Sequence, residues 1–233
     1  MPRESMAARK QRAKKILELL MLRFPDAHIE LNYERRQPWQ LLVAVMLSAQ
    51  CTDVKVNQVT PALFKKYPDL DSFARADVND VKQRIKSLGL AATKAKNIVA
   101  SARVLQRDHQ GQVPADRQQL EALPGIGRKS ASVILANAFG IPALAVDTHV
   151  GRVSRRMGLT KEKNPDKVEQ ALEALWPKSN WLQAHHIMIW QGRRICSARK
   201  PDCAQCPVQQ LCWQVDLPPA KDKLTKKSTK TKT

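Results

Sequence analysis

Between two runs of helical periodicity lies Leu123-Pro-Gly-Ile-Gly-Arg-Lys129, and it constrains the fold more than any other segment. Upstream, Arg117 to Leu123 sets Leu120 and Leu123 three residues apart on one helical face. Downstream, Ser130, Val133, Ile134 and Ala138 repeat at helical spacing from the first residue after the turn. Pro124, Gly125 and Gly127 break the two runs with a tight turn, so the unit is helix, hairpin, helix. The glycines let the backbone approach another chain closely. The hairpin amides and the N-terminus of the following helix together form an anion site.

The rest of the chain reads in the same period. Helices are expected at about 8–24, 38–48, 53–67, 78–87, 91–109, 116–122, 128–139, 148–157, 165–176 and 179–192. No alternating β-branched run and no Asn-Gly or Asp-Gly turn interrupts them, so the fold class is all-α. Residues 217–233 hold almost nothing apolar to bury and are expected to be disordered. The 233 residues carry a formal charge of +19, with +5 in residues 1–15 and +5 in residues 217–233, leaving +9 on the body. A basic body with an anion-binding hairpin points to nucleic-acid phosphate as partner. No apolar span supports a membrane partner, and no secretory signal is visible. The expected location is the cytoplasm, at the nucleoid.

Four of the five cysteines fall together as Cys196-x6-Cys203-x2-Cys206-x5-Cys212. A chain without an export signal argues against disulfides. Four thiolates in one loop suit zinc or an iron–sulfur cluster, and the two long spacings tilt the balance modestly to the cluster. Either would hold together a small C-terminal lobe poor in apolar mass. Arg199 and Lys200, between the first two cysteines, would form a basic tip suited to phosphate contact.

These motifs resemble a known family. Leu-Pro-Gly-Ile-Gly-Arg-Lys, then Val146-Asp-Thr-His149, then the four-cysteine loop are similar to the endonuclease III group of base-excision-repair DNA glycosylases. Leu47-Ser-Ala-Gln-Cys-Thr-Asp53 and Ile85-Lys-Ser-Leu-Gly-Leu90 look like the same family, so the resemblance spans about residues 15–215. It implies a two-lobed helix-hairpin-helix glycosylase fold with DNA across the cleft. One lobe would be a six-helix barrel at 31–141, with the helix-hairpin-helix at about 116–139. The other would join 1–30 to 142–216 and carry a [4Fe-4S] cluster on Cys196, Cys203, Cys206 and Cys212.

The implied activity is a bifunctional glycosylase and AP lyase acting, as a monomer, on duplex DNA with damaged bases or abasic sites. Lys129 would be the nucleophile at C1′ of a flipped nucleotide. It falls in a first helical turn beside Arg128, where the helix dipole and a like charge both disfavour an ammonium. Asp147, just before a helix, reads as an N-cap from position alone; the resemblance makes it also the carboxylate that stabilises the cationic sugar. Gln50 is similar to the glutamine that fills the gap left by the flipped base, and Leu90 to an apolar wedge. Gly125, Ile126 and Gly127 would contact DNA through the hairpin. Ala91 departs from the pattern, where an aromatic often follows the wedge, and so does Cys51, where a small inert residue is common. The cysteine at 51 reads as a small packed side chain. His185 and His186 read as helix or interface residues, with metal ligation left open. Adenine- or thymine-mismatch glycosylases are the enzymatic rivals, disfavoured by the lysine at 129. A non-catalytic DNA-binding protein is the rival of another class.

Overall fold

The computed structural model describes residues 4–218, and among these no strand occurs. The tail expected to be disordered therefore lies outside the described residues from 219 onward. The helices are α1 (Met6–Arg23), α2 (Pro38–Ser48), α3 (Asp53–Lys66), α4 (Leu70–Ala74), α5 (Val78–Arg84) and α6 (Ala91–His109). They continue with α7 (Arg117–Glu121), α8 (Arg128–Ala138), α9 (Thr148–Arg156), α10 (Pro165–Glu173) and α11 (Trp181–Arg194). Side-chain caps that satisfy orphan amides start most of them, including Ser5, Thr52, Asp77, Asp116 and Asn164.

α4 is absent from the periodicity reading because five residues are too few to show a period. Its signal is local: Asp69 and Ser72 form a reciprocal capping box. α5 stops at Arg84, short of the expected 87, because Ile85 and Leu88 turn inward and are buried.

Two hydrophobic clusters form. The first gathers α2 to α8 around α2, whose residues Leu41 to Leu47 are all buried. A helix apolar on every face belongs inside a bundle. The second packs α1 against α9, α10 and α11, with Ile16, Val150, Leu172 and Ile187 fully buried.

Between the clusters runs an extended segment, Ala143 to Val146, buried throughout. Its side chains alternate: Ala143 and Ala145 join the first cluster, Leu144 and Val146 the second. Period-two alternation in a single extended strand of chain makes a seam between two cores. His185 donates through Nδ1 to the Ala145 carbonyl at 2.7 Å and so satisfies a buried backbone group of that seam. The seam delivers the chain directly to Asp147.

Candidate active site

Lys129 is the second residue of α8, and Gly127 is that helix's N-cap. The two hairpin glycines serve different ends. Gly125 has φ +82°, and a Cβ there would lie 2.5 Å from Asn97 Nδ2. Both backbone and packing therefore exclude a side chain. Gly127 has an ordinary φ of −102°, and a Cβ would meet nothing within 4 Å. Its bareness leaves open surface beside the amides of the helix N-terminus. Ile126 is buried in the first cluster, so only its backbone faces outward.

Asp147 caps α9, its Oδ1 accepting from the Val150 amide at 2.8 Å. Lys129 and Asp147 line one cleft of about 770 Å³, together with Gln50, His149, Arg155 and Lys163. Cap and cleft residue are thus the same carboxylate: the cap fixes Oδ1, and the side chain still borders the cleft.

Arg128 does not press on Lys129 as its sequence position suggests. Its guanidinium binds Glu169 of α10 in a two-pronged pair, at 2.8 and 3.1 Å. The Glu169 side chain is only 4 % exposed, and Arg117 lies 3.8 Å from it. One buried carboxylate thereby ties both hairpin helices to α10.

Gln50 and Leu90 are exposed, and both hold left-handed backbone, φ 55° and 61°. Such conformations are costly for residues with a Cβ and concentrate at functional sites. Between them sits Cys51, whose Sγ accepts a hydrogen bond from Lys94 Nζ at 3.1 Å. Lys94 is itself buried. The thiol is therefore a polar anchor as well as a packed side chain.

Sequence reasoning missed Asp53, Glu30 and the place of Arg193. Arg193 turns away from the cysteine loop to pair with Glu30 and, at 2.8 Å, with Asp53. Asp53 and Arg193 both line the cleft. Their residue types gave no signal, since the pair joins positions 140 apart.

The four loop cysteines line one hollow with Arg156 and Gln191. All are free thiols and half-buried. Four sulfurs lining one hollow supply the thiolate set that a [4Fe-4S] cluster takes. Arg156 is buried, donates to the carbonyls of Ser197 and Ala198 at 2.7 Å, and keeps its Nε unpartnered at the hollow. A spare buried donor beside four thiols suits an anionic, sulfide-bearing group. Burial pushes the Cys212 thiol up to about 11, so iron must supply the charge that makes it a thiolate ligand. The histidines are not ligands: His186 donates through Nε2 to Asn137 Oδ1 at 3.0 Å, and neither histidine borders the hollow. Arg199 and Lys200 are exposed on the loop.

Residues 43–178 match the HhH-GPD superfamily of base excision DNA repair proteins, and residues 196–212 match the iron-sulfur binding domain of endonuclease III. Endonuclease III of Synechocystis sp. is 46 % identical over 208 residues, covering 89 % of this chain and 94 % of that protein. Endonuclease III of Bacillus subtilis is 46 % identical over 190 residues, covering 81 % and 86 %. A solved structure of a trapped endonuclease III–DNA covalent intermediate superposes with TM-score 0.84 at 44 % identity, covering 88 % of this chain and 96 % of that one. With cleft, hairpin and cysteine loop on one all-helical chain and these relatives matching nearly its whole length, the chain belongs to the endonuclease III family.

Proposed function

We propose that this protein is a bifunctional DNA glycosylase and AP lyase that removes oxidised pyrimidines from duplex DNA, with Lys129 as nucleophile and Asp147 as its carboxylate partner. The observation that carries the assignment of residues is that an amine and a capped carboxylate border one cleft, beside a hairpin whose Gly127 leaves open surface. A base cannot be reached in the stack, so the nucleotide is flipped into the cleft at a cost of a few kcal/mol, least for a damaged base. The Lys129 amine attacks C1′, and the base departs with the glycosidic electron pair. Asp147 stabilises the positive charge that develops on the sugar and moves protons. The sugar ring opens to a C1′ iminium on Lys129. Loss of a C2′ proton then expels the 3′ phosphate, and water hydrolyses the remaining imine to free the amine.

Gln50, which lines the cleft, and the exposed Leu90, both on left-handed backbone, fill the space left by the flipped nucleotide. The hairpin amides of Gly125 and Gly127 and the basic tip of Arg199 and Lys200 hold phosphates, while the Ile126 amide is spent on the Leu123 carbonyl at 3.1 Å. The [4Fe-4S] cluster, when bound by the four cysteines, supplies the internal bond network that the small loop lacks in apolar mass. The two hydrophobic clusters support a barrel lobe near 31–141 and a second lobe from 1–30 and 142–216, with Ala143 and Ala145 crossing to the first core. The protein acts as a monomer at the nucleoid; no helix among the described residues is long and apolar enough to cross a membrane.

The test uses a duplex with one thymine glycol, scoring free base and strand scission separately. The native protein gives both. Lys129→Gln gives neither at a comparable rate. Base release without scission would instead mark a monofunctional glycosylase, and binding without either would mark a passive DNA-binding protein.

A further inference from the structure

Lys129 and Asp147 also line a second, smaller chamber of about 60 Å³. One water needs on the order of 10–15 Å³ of such space, so the chamber has room for a short chain of them. It shares Val45, Ser48, Asp53, Lys129, Asp147 and Arg193 with the cleft. At its other end it shares His28, Ile29, Leu31 and His186 with a groove of about 580 Å³. That groove has no lining residue in common with the cleft.

Among the buried unpartnered polar atoms of the described residues, one belongs to a chamber-lining residue, and a neighbouring imidazole adds a free acceptor. Trp190 is 7 % exposed, and its Nε1–H is an unsatisfied donor. His185 is 4 % exposed; its Nδ1–H is spent on the Ala145 carbonyl, which leaves Nε2 as a bare acceptor. A second acceptor follows from a chain of assignments. Asn137 donates through Nδ2 to the Val133 carbonyl, so its Oδ1 accepts from His186 Nε2–H and His186 Nδ1 keeps its lone pair. Burial holds both imidazoles neutral, their values pushed down to about 4 and about 3. The charged and titratable groups around them are Asp147 on the cap of α9, Lys129 on α8, Arg193 on α11 and His28 on the segment after α1. Arg193 is already neutralised by Glu30 and Asp53.

A lysine attacks only as the free amine. Once a duplex covers the cleft and a nucleotide occupies it, water on that side is displaced. We propose that the chamber is a rear proton port: waters held by His185 Nε2 and Trp190 Nε1 carry the ammonium proton of Lys129 out to the separate groove. The inference rests on Lys129 being the nucleophile. Lys129 gives one proton to the adjacent water, each water passes one on, and a hydronium leaves to solvent, so the neutral amine remains inside. His185 keeps its own proton throughout and acts as a positioning residue for the water.

The experiment is single-turnover Schiff-base trapping by the cluster-loaded enzyme on a duplex with a preformed abasic site, from pH 6 to 9 and in mixed H₂O and D₂O. The native protein should give a bowed proton inventory, because several protons move together. His185→Leu should slow trapping at pH 7 by at least about tenfold, with the deficit narrowing toward pH 9 because hydroxide can then take the proton without the water chain. His185→Gln, which keeps a donor for Ala145 and an acceptor for the chamber, should stay within about threefold of native. His28→Trp, a plug at the exposed rim, should slow trapping in the same pH-dependent way. Affinity for a tetrahydrofuran-site duplex should be native in all three. A linear inventory in the native protein overturns the port without any variant being needed. So does a folded Leu or Trp variant with native rates, or one slowed equally at every pH. No adduct from native protein at any pH would remove the role of Lys129 and the port with it, whereas native trapping with unaltered variants removes the port alone.

Discussion

At residue scale, Asp147 caps α9, and the proposed function gives it a second, catalytic duty that substitution can separate from the first. Asparagine caps helices about as well as aspartate, so Asp147→Asn should leave the urea midpoint near native and lower glycosylase turnover by about 10²–10⁴-fold. Asp147→Ala should add a stability loss of about 1 kcal/mol on top of the same catalytic defect. The hairpin glycines divide in the same way. Gly125→Ala forces φ +82° on a residue with a Cβ and drives that Cβ into Asn97, so it should cost about 1–3 kcal/mol in urea unfolding. Gly127→Ala should fold with native stability and lose affinity for abasic-site duplex, because the new methyl meets only an incoming partner. Equal effects in the two assays for both glycines would contradict this division. That Lys129 and Asp147 stand together, and that the four cysteines share one hollow, was legible in the sequence because each residue belongs to a motif with fixed local spacing. Asp53, Glu30 and Glu169 were not, since a carboxylate announces nothing until folding brings it to its arginine.

At the scale of elements, Glu169 on α10 holds Arg128 and Arg117, one from each hairpin helix. Glu169→Gln removes the buried charge and leaves two guanidiniums with weaker partners. Because Arg128 and Arg117 keep partial access to solvent, the loss should be about 1–3 kcal/mol, below that of a fully buried pair. Thermal unfolding measures it. Trapping by this variant should also slow, since the helix bearing Lys129 loses its tie to the elements around Asp147. Native stability and native trapping would show that the pair is only a surface contact. Element positions were mostly legible, because long helices repeat their apolar residues over several turns. α4 and the seam from Ala143 to Val146 were not. The former is too short to show a period, and the latter's alternation becomes meaningful only when two cores exist to receive its two faces.

At the scale of the whole molecule, the buried histidines make stability depend on pH. Folded values near 4 for His185 and 3 for His186 lie below the ordinary 6.5. As pH falls, the unfolded chain takes up these protons first. The contribution is therefore complete above about 6.5 and drains away as pH falls toward about 4 and then 3. Between pH 7 and pH 5 the loss should be up to about 2 kcal/mol per histidine, read as a falling urea midpoint. His185→Gln should flatten part of that slope, and a midpoint that is level across this window would contradict the burial argument. The account as a whole turns on one bond. Borohydride trapping on an abasic-site duplex, followed by nuclease digestion and peptide mass mapping, locates the sugar remnant on the chain. The account predicts a single modified site, Lys129. Modification at any other lysine, or an adduct that persists undiminished in Lys129→Gln, would contradict it.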